Sequence, residues 1–147
     1  MTDRKLLDLP EVNIAIFAFL LNLVWEFWQV PFFRDIVSAS HWDGIKQCSL
    51  ATAGDALIAV AAFSVTSRLG SGRDWYLNPG WRDMAVFLAV GVLATIFFEA
   101  LATRALDKWQ YGDAMPTLPI VGTGITPLAQ WLIVPPLVLW FVRRQLT

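Results

Sequence analysis

The chain has 147 residues, of which 56% are hydrophobic and 16% are charged, and its formal net charge is −1. Because a water-soluble domain usually carries about 25% charged residues, this composition excludes an ordinary soluble fold, and the net charge excludes a basic surface for nucleic acid. The chain has one histidine and one cysteine, which excludes a histidine-rich metal site, an intrachain disulfide and a CxxC redox pair within one chain.

Four apolar runs are each long enough to cross a membrane as a helix. A bilayer core of about 30 Å needs about 20 helical residues per crossing, and the four runs leave little chain for a soluble domain. We therefore predict an all-α integral membrane four-helix bundle that forms a single transmembrane domain over residues 1–147. The predicted spans are residues 12–33, 50–67, 84–105 and 125–142.

The distribution of lysine and arginine predicts the orientation in an inner (plasma) membrane. Positive residues are more frequent on the cytoplasmic side, which places both termini in the cytoplasm. The side with the termini carries Arg4, Lys5, Arg68, Arg73, Arg82, Arg143 and Arg144, and the other side carries Arg34, Lys46, Arg104 and Lys108. We expect interfacial tryptophan belts, formed by Trp75, Trp81 and Trp140 on the inner side and by Trp28, Trp42 and Trp109 on the outer side.

Each span contains one polar or ionisable residue well inside its apolar run: Glu26, Asp55, Glu99 and Gln130. At a rise of 1.5 Å per residue, each of them lies roughly 8–10 Å from the outer end of its span. All four therefore fall at one level, in the outer half of the bilayer.

Helical spacing turns these side chains toward the interior of the bundle. Asn22, Glu26 and Gln29 share one stripe of the first helix, at positions i, i+4 and i+7. Small residues let membrane helices approach closely and polar residues avoid lipid, so we expect such stripes to converge. The stripe of the second span is Thr52, Asp55, Ala59, Ala62 and Thr66, and that of the third is Gly91, Thr95, Glu99 and Thr103.

Three carboxylates at one depth must share protons or a cation, because an isolated charge in the membrane is costly and like charges repel. Arg104, about one turn outward from Glu99, could neutralise one of them. We predict that Glu26, Asp55 and Glu99 are catalytic acids and bases, with no metal ligand among them. The structural alternative is a polar knot that only locks the four helices together.

Aromatic and amide side chains near this level complete the predicted site. Indole faces attract cations, so tryptophans beside the acids suit a carbocation or an ammonium group. The predicted substrate-binding residues are Asn22, Trp25, Gln29, Gln130, Trp131, Trp109 and Tyr111. The last two lie in the 108–124 segment, which is rich in proline and glycine and should form an irregular lid or a re-entrant segment.

The proline pair of the fourth span and the first outer loop lead to further predictions. Pro135 and Pro136 should interrupt the fourth span, because proline lacks the amide donor that a helix needs. The freed carbonyls could line the cavity beside Gln130, or the prolines could only kink the helix and improve its packing. Residues 34–47 should form the first outer loop, where His41 could move protons or contact a ligand. Cys48 is expected to be a packing residue.

The sequences around the acidic residues of spans one and three are weakly similar. Trp25-Glu26-Phe27 resembles Phe98-Glu99-Ala100, and each is followed by a polar residue in the next span, Asp55 or Gln130, at a similar interval. This pattern predicts two parallel two-helix repeats.

The polar motifs resemble, over nearly the whole chain, an uncharacterised group of small four-span bacterial membrane proteins, and this resemblance implies no activity. The motifs are Asn22-x-x-Trp25-Glu26-x-x-Gln29, Gly54-Asp55, Glu99, Trp109-x-Tyr111, Met115-Pro116 and Pro127-x-x-Gln130. The Trp109–Pro119 stretch is also faintly similar to heterodimeric-type lycopene (carotenoid) cyclase subunits, which have an aromatic-x-aromatic stretch before a Leu-Pro turn. Those subunits have an acid motif after the turn, whereas this chain has Ile120-Val121-Gly122.

Three functions remain open at this stage. The first is a cofactor-free enzyme, such as a cyclase or isomerase, that acts by proton transfer on a lipophilic, isoprenoid-like substrate. The second is a small proton- or cation-coupled transporter that works as a homodimer. The third is an accessory subunit of a larger membrane complex. Expected partners are a lipid or another lipophilic small molecule and the membrane itself.

Overall fold

The computed structural model describes residues 6–147, and their regular structure is helical apart from two isolated backbone bridges. Arg4 and Lys5, which entered the charge count, lie outside the described residues. The helices are α1 (Pro10–Gln29), α2 (Arg34–Ser38), α3 (His41–Leu69), α4 (Trp81–Ala100) and α5 (Ile125–Leu146).

Four apolar segments are long enough to cross a membrane, and they match the four predicted spans: Pro10–Phe32, His41–Leu69, Trp81–Ala105 and Ile125–Leu146. α1 packs against α3 and α5, and α4 packs against the same two helices, which closes the ring of a four-helix bundle. The predicted all-α membrane bundle is therefore confirmed, and the chain is a multi-pass membrane protein. The internal two-helix repeat stays a prediction.

The bundle interior follows the stripes that helical spacing defines. On α1, Ile14 and Ala18 are fully buried, and on α4 the buried side chains recur at four-residue steps through Phe87, Gly91 and Thr95. The opposite faces expose large apolar side chains, as lipid contact requires.

The two ends of the bundle differ in the segments that they carry. We call the end that carries the 108–124 segment the site end and the other the terminal end.

The first loop at the site end is helical, contrary to the sequence expectation. Residues 34–47 form α2 and the beginning of α3, and His41 is the exposed first residue of that helix. Ser40 caps α3 by accepting a hydrogen bond from the backbone amide of Asp43. The apolar pattern begins only near Leu50, so periodicity alone did not show the polar turns before it.

The fourth span is a continuous helix through its two prolines, so the predicted interruption does not occur, while the alternative of a kink stays a prediction. α5 runs from Ile125 to Leu146 with Pro135 and Pro136 inside it. Proline removes a backbone donor, but tertiary packing holds the helix on both sides. Val134 and Val138, which flank the pair, are nearly fully buried in the core of the bundle.

The terminal end is closed by aromatic packing that the sequence analysis assigned to the lipid interface. Trp75 lies in the short 3-10 helix Arg73–Leu77, is only 2% exposed, and its ring lies 5.7 Å from Phe63 and 5.3 Å from Phe87. Trp75 is therefore a core residue and not a belt residue. The tryptophans with large exposure are Trp28, Trp42, Trp81 and Trp140.

Close packing of α4 on α5 depends on a glycine. A Cβ atom at Gly91 would overlap the indole ring of Trp131, whereas a Cβ at Gly54 in α3 would meet nothing within 4 Å. We predict that Gly91→Ala lowers the free energy of unfolding by about 1–3 kcal/mol because of overpacking. The same change at Gly54 should be neutral, or stabilising by up to about 1 kcal/mol, because alanine favours helix.

Thermal or denaturant unfolding of the two variants in detergent tests this difference. Equal stability of Gly91→Ala and Gly54→Ala would contradict the described contact between α4 and α5.

Candidate functional site

The carboxamide of Gln130 on α5 joins three of the four helices at the site end. Its Nε2 atom donates to Oδ1 of Asn22 at 2.8 Å, to Oδ2 of Asp55 at 2.9 Å and to Oε1 of Glu26 at 3.3 Å. Gln130 is only 3% exposed. One buried amide therefore organises the acceptors of α1 and α3, as expected from the inward stripes.

The carboxyl group of Glu26 lies at the centre of this network. It is 7% exposed and also accepts from Nε2 of Gln29 at 2.8 Å. The carboxyl groups of Glu26 and Asp55 are themselves within side-chain hydrogen-bonding range. We call Glu26, Asp55 and Gln130, with the flanking Asn22 and Gln29, the carboxyl cluster.

Glu99 on α4 lies near the cluster but has different hydrogen-bond partners. It interacts electrostatically with both Glu26 and Asp55. Its Oε2 atom accepts from the hydroxyl of Tyr111 and, at 3.5 Å, from Nε1 of Trp109. Glu99 is the last residue of the inward stripe that lies within α4. Its hydrogen-bond donors come from the 108–124 segment and not from another helix.

Two backbone contacts fix this segment at the site end. Gly112 donates to the carbonyl of Phe32 at 2.8 Å, and Arg34 donates to the carbonyl of Gln110 at 3.0 Å, so the segment pairs with the chain that leaves α1. The amide of Gly124, directly before α5, donates to the Tyr111 hydroxyl at 3.0 Å. Tyr111 thus connects Glu99 to the start of α5. The segment contains no helix, as expected.

No basic side chain within residues 6–147 forms an ion pair with the three carboxyl groups. The ion pairs of the described chain are Arg34–Asp113, Lys46–Asp43 and Arg73–Glu11. Arg104, which could have neutralised one of the three acids, forms none of these ion pairs and donates instead to the carbonyl of Val121. The 108–124 segment supplies this acceptor, which spacing along α4 cannot show.

The three carboxyl groups are divided between two hydrogen-bond environments, one built on Gln130 and one on Tyr111. Within the described residues, no group of three or more His, Cys, Asp or Glu side chains lies close enough to hold a metal ion.

The two tryptophans predicted beside the acids have different surroundings. Trp131 is buried in the core against Gly91. Trp25 is half-buried, and its ring lies 5.2 Å from that of Trp28, which is exposed. Trp25 therefore lies between the inward stripe and the lipid-facing surface of α1.

His41 is exposed at the beginning of α3.

The way in which the 108–124 segment is held does not follow from the sequence pattern. Trp109 and Tyr111 are predicted substrate contacts, whereas in the structure they donate to Glu99. The contact of Tyr111 with Gly124, and the pairing of Phe33 with Tyr111, join residues far apart along the chain. The one sequence feature that could have indicated this contact is that the Trp109-x-Tyr111 pair follows soon after Glu99, an acid with no assigned donor.

No protein-family model, curated protein or solved structure matches this chain.

Removal of the Gln130 amide tests the centre of the cluster. Gln130→Leu leaves the oxygens of Asn22 and Asp55 without this donor, and an unsatisfied buried acceptor costs about 1–3 kcal/mol. We predict a loss of about 2–3 kcal/mol in the free energy of unfolding in detergent. Gln145→Leu, at an exposed position of the same helix, should change stability little. Equal effects of the two substitutions would contradict the network.

Tyr111 provides a pH-dependent test of the loop. Burial, and next the neighbouring Glu99 carboxylate, raise the pKa of Tyr111. Since the folded state favours the neutral phenol, its contribution is complete below the ordinary pKa of about 10 and is lost as pH rises above that value. The protection of the Gly124 amide, which is its exchange rate relative to that of an unstructured amide at the same pH, should therefore fall above about pH 10.

The Tyr111→Phe variant removes the acceptor of the Gly124 amide. Exchange at that amide should be faster than in the parent protein already at neutral pH, and the extra acceleration from phenol ionisation should disappear. An unchanged rate at Gly124 would show that the Tyr111 hydroxyl does not hold the start of α5.

Proposed function

We propose that this multi-pass membrane protein acts by acid/base chemistry on a lipophilic, isoprenoid-like substrate. The observation that carries the proposal is that the carboxyl groups of Glu26 and Asp55 share the Nε2 donor of Gln130 and have no basic partner among the described residues. An intramembrane acid without a counter-charge is costly, and such acids are characteristic of functional sites.

The Glu26–Asp55 pair is the proposed proton donor. Two carboxyl groups in contact cannot both be ionised in a low-dielectric site, so the pair retains a proton between them. The amides of Gln130 and Gln29 donate to the oxygens that remain. A carboxylic acid kept neutral in an apolar setting is what protonation of a weakly basic carbon requires.

Glu99 is the proposed proton acceptor. Its carboxyl group accepts hydrogen bonds from Tyr111 and Trp109, so its partners are separate from the Gln130 amide that holds the proposed donor pair. Asp55 and Glu99 are half-buried, whereas Glu26 is nearly enclosed. Part of the acid–base system is therefore reachable by a molecule that enters from the bilayer.

The chemistry follows from these two roles. The acid transfers its proton to one carbon of a double bond, which leaves a carbocation on the other carbon. The base then removes a proton from an adjacent carbon, and its electron pair forms a new double bond. The result is a double-bond isomer. If a second double bond of the substrate attacks the carbocation first, its electron pair forms a carbon–carbon bond, and the base then removes a proton next to the new cation to give a cyclised product. Neither route involves net oxidation or a cofactor. The indole face of Trp25 would stabilise the cation.

The proposed setting is an inner (plasma) membrane with both termini in the cytoplasm. Four crossings place the two ends of the chain on one side, and among the described residues the terminal end carries Arg68, Arg73, Arg82, Arg143 and Arg144. The proposed partner is a lipid or a lipophilic small molecule. A homodimer is the simplest larger assembly.

Deuterium incorporation tests the proposal without knowledge of the substrate. Membranes containing the parent protein are incubated in D₂O buffer, and the extracted lipids are compared by mass spectrometry. Proton transfer at carbon should place deuterium at a non-exchangeable position of one lipophile. The label should fall at least about 100-fold in Glu26→Gln and Glu99→Gln, as expected when a general acid or base is removed.

Glu11→Gln is the matched control, because it makes the same substitution at the terminal end, where Glu11 pairs with Arg73. It should retain full labelling. Melting temperatures and gel-filtration profiles in detergent show whether each variant is folded. Absence of any label with the parent protein would contradict the proposal, and so would proton flux in proteoliposomes or a stoichiometric partner protein without labelling.

A further inference from the structure

α1 carries two buried polar atoms that lack a hydrogen-bond partner within the described structure: the indole Nε1 of Trp25 and the carboxamide Oε1 of Gln29. The Gln29 side chain is 3% exposed. Its Nε2 donates to Glu26 at 2.8 Å, so the carboxamide is fixed beside the carboxyl cluster and its oxygen is left over. Unsatisfied polar groups are expensive where no bulk water reaches.

The two atoms lie on the same side of α1. Residues 25 and 29 are separated by four positions, and side chains at i and i+4 are neighbours on a helix surface. One atom is a donor without an acceptor, and the other is an acceptor without a donor. A single small group that both accepts and donates would satisfy the pair.

From this pair we propose that Trp25 and Gln29 form a subsite for the hydroxyl group of a lipophilic alcohol. The inference rests on the proposed function, because it names the substrate class of the same site. The hydroxyl oxygen accepts from the indole N–H of Trp25, and the hydroxyl proton is donated to Oε1 of Gln29. The hydrocarbon part extends away from the acids into the bilayer.

Other head groups fit the pair less well. A ketone or ether accepts from Trp25 but leaves Gln29 unsatisfied, and an ammonium group offers Trp25 no acceptor. A phosphate or diphosphate would lie beside the Glu26–Asp55 pair, where like charges repel. The hydroxyl group is neutral and supplies both functions at one atom.

The surface next to the subsite suits a hydrocarbon chain. The ring centroids of Trp25 and Trp28 lie 5.2 Å apart, and those of Trp28 and Phe32, in the short turn directly after α1, lie 5.8 Å apart. Trp28 is exposed. This aromatic row therefore connects the polar pair with the lipid-facing surface.

Binding of a matched probe pair tests the subsite. The probes are a linear C20 isoprenoid alcohol and its methyl ether, each titrated into the protein in detergent with the thermal shift as readout. The ether keeps the acceptor and the chain but lacks the hydroxyl proton. We expect the alcohol to bind about tenfold more tightly, the effect of about one buried hydrogen bond.

Trp25→Phe keeps an aromatic ring but removes the N–H donor together with part of the indole ring, a loss of volume that the control substitution shares. It should weaken alcohol binding about tenfold. Trp81→Phe, at an exposed tryptophan of the terminal end far from the subsite, is the matched control and should retain the tenfold preference for the alcohol over the ether. Equal affinity of alcohol and ether for the parent protein overturns the inference, as does a Trp25→Phe variant that binds the alcohol like the parent. Binding of neither probe also overturns it and assigns the two atoms to water.

The result of the binding test does not depend on the result of the deuterium test. Alcohol selectivity without deuterium transfer to any lipophile would sustain the subsite and remove the acid/base function. Deuterium transfer without alcohol selectivity would support the acid/base function and contradict the hydroxyl subsite.

Discussion

The structure depends on one constraint: acidic side chains within apolar membrane helices need hydrogen-bond donors, and a hydrocarbon environment supplies none. Here the donors are amides. Gln130 reaches from α5 to acceptors on α1 and α3, and Gln29 supports Glu26 from within α1. Because a carboxamide is neutral, it satisfies oxygens without cancelling charge. A guanidinium in its place would convert the cluster into a permanent ion pair.

The same constraint explains the irregular 108–124 segment. Glu99 ends the inward stripe of α4, where no further helix of the bundle covers it, and Tyr111 and Trp109 supply its donors. The Tyr111 hydroxyl also receives the amide of Gly124. One phenol therefore helps to fix the carboxylate of α4 and the entry into α5. The two acid environments differ because one is built by helices and the other by a loop.

Local spacing was enough to predict much of the fold and part of the site. Run lengths identified the four spans, and the recurrence of Asn22, Glu26 and Gln29 every three or four residues fixed the face that meets Gln130. Periodicity is reliable here because lipid and protein interior impose opposite demands on the two faces of each helix.

The features that could not be predicted depend on contacts distant in sequence or on polar caps. The start of α3 at His41 rests on the Ser40 cap, outside the apolar pattern. The burial of Trp75 between Phe63 and Phe87, and the diversion of Arg104 to Val121, depend on the path of connecting segments. The persistence of α5 through Pro135 reflects tertiary packing that outweighs a local preference.

The central claim is that the Glu26–Asp55 pair holds a proton inside the membrane. Infrared spectroscopy of the protein in lipid at neutral pH measures this directly through the carbonyl stretch of a protonated carboxylic acid, which shifts on exchange into D₂O. The account predicts such a band in the parent protein and its loss or displacement in Glu26→Gln and in Asp55→Asn, but not in Glu11→Gln. A parent spectrum with only ionised carboxylates would contradict it.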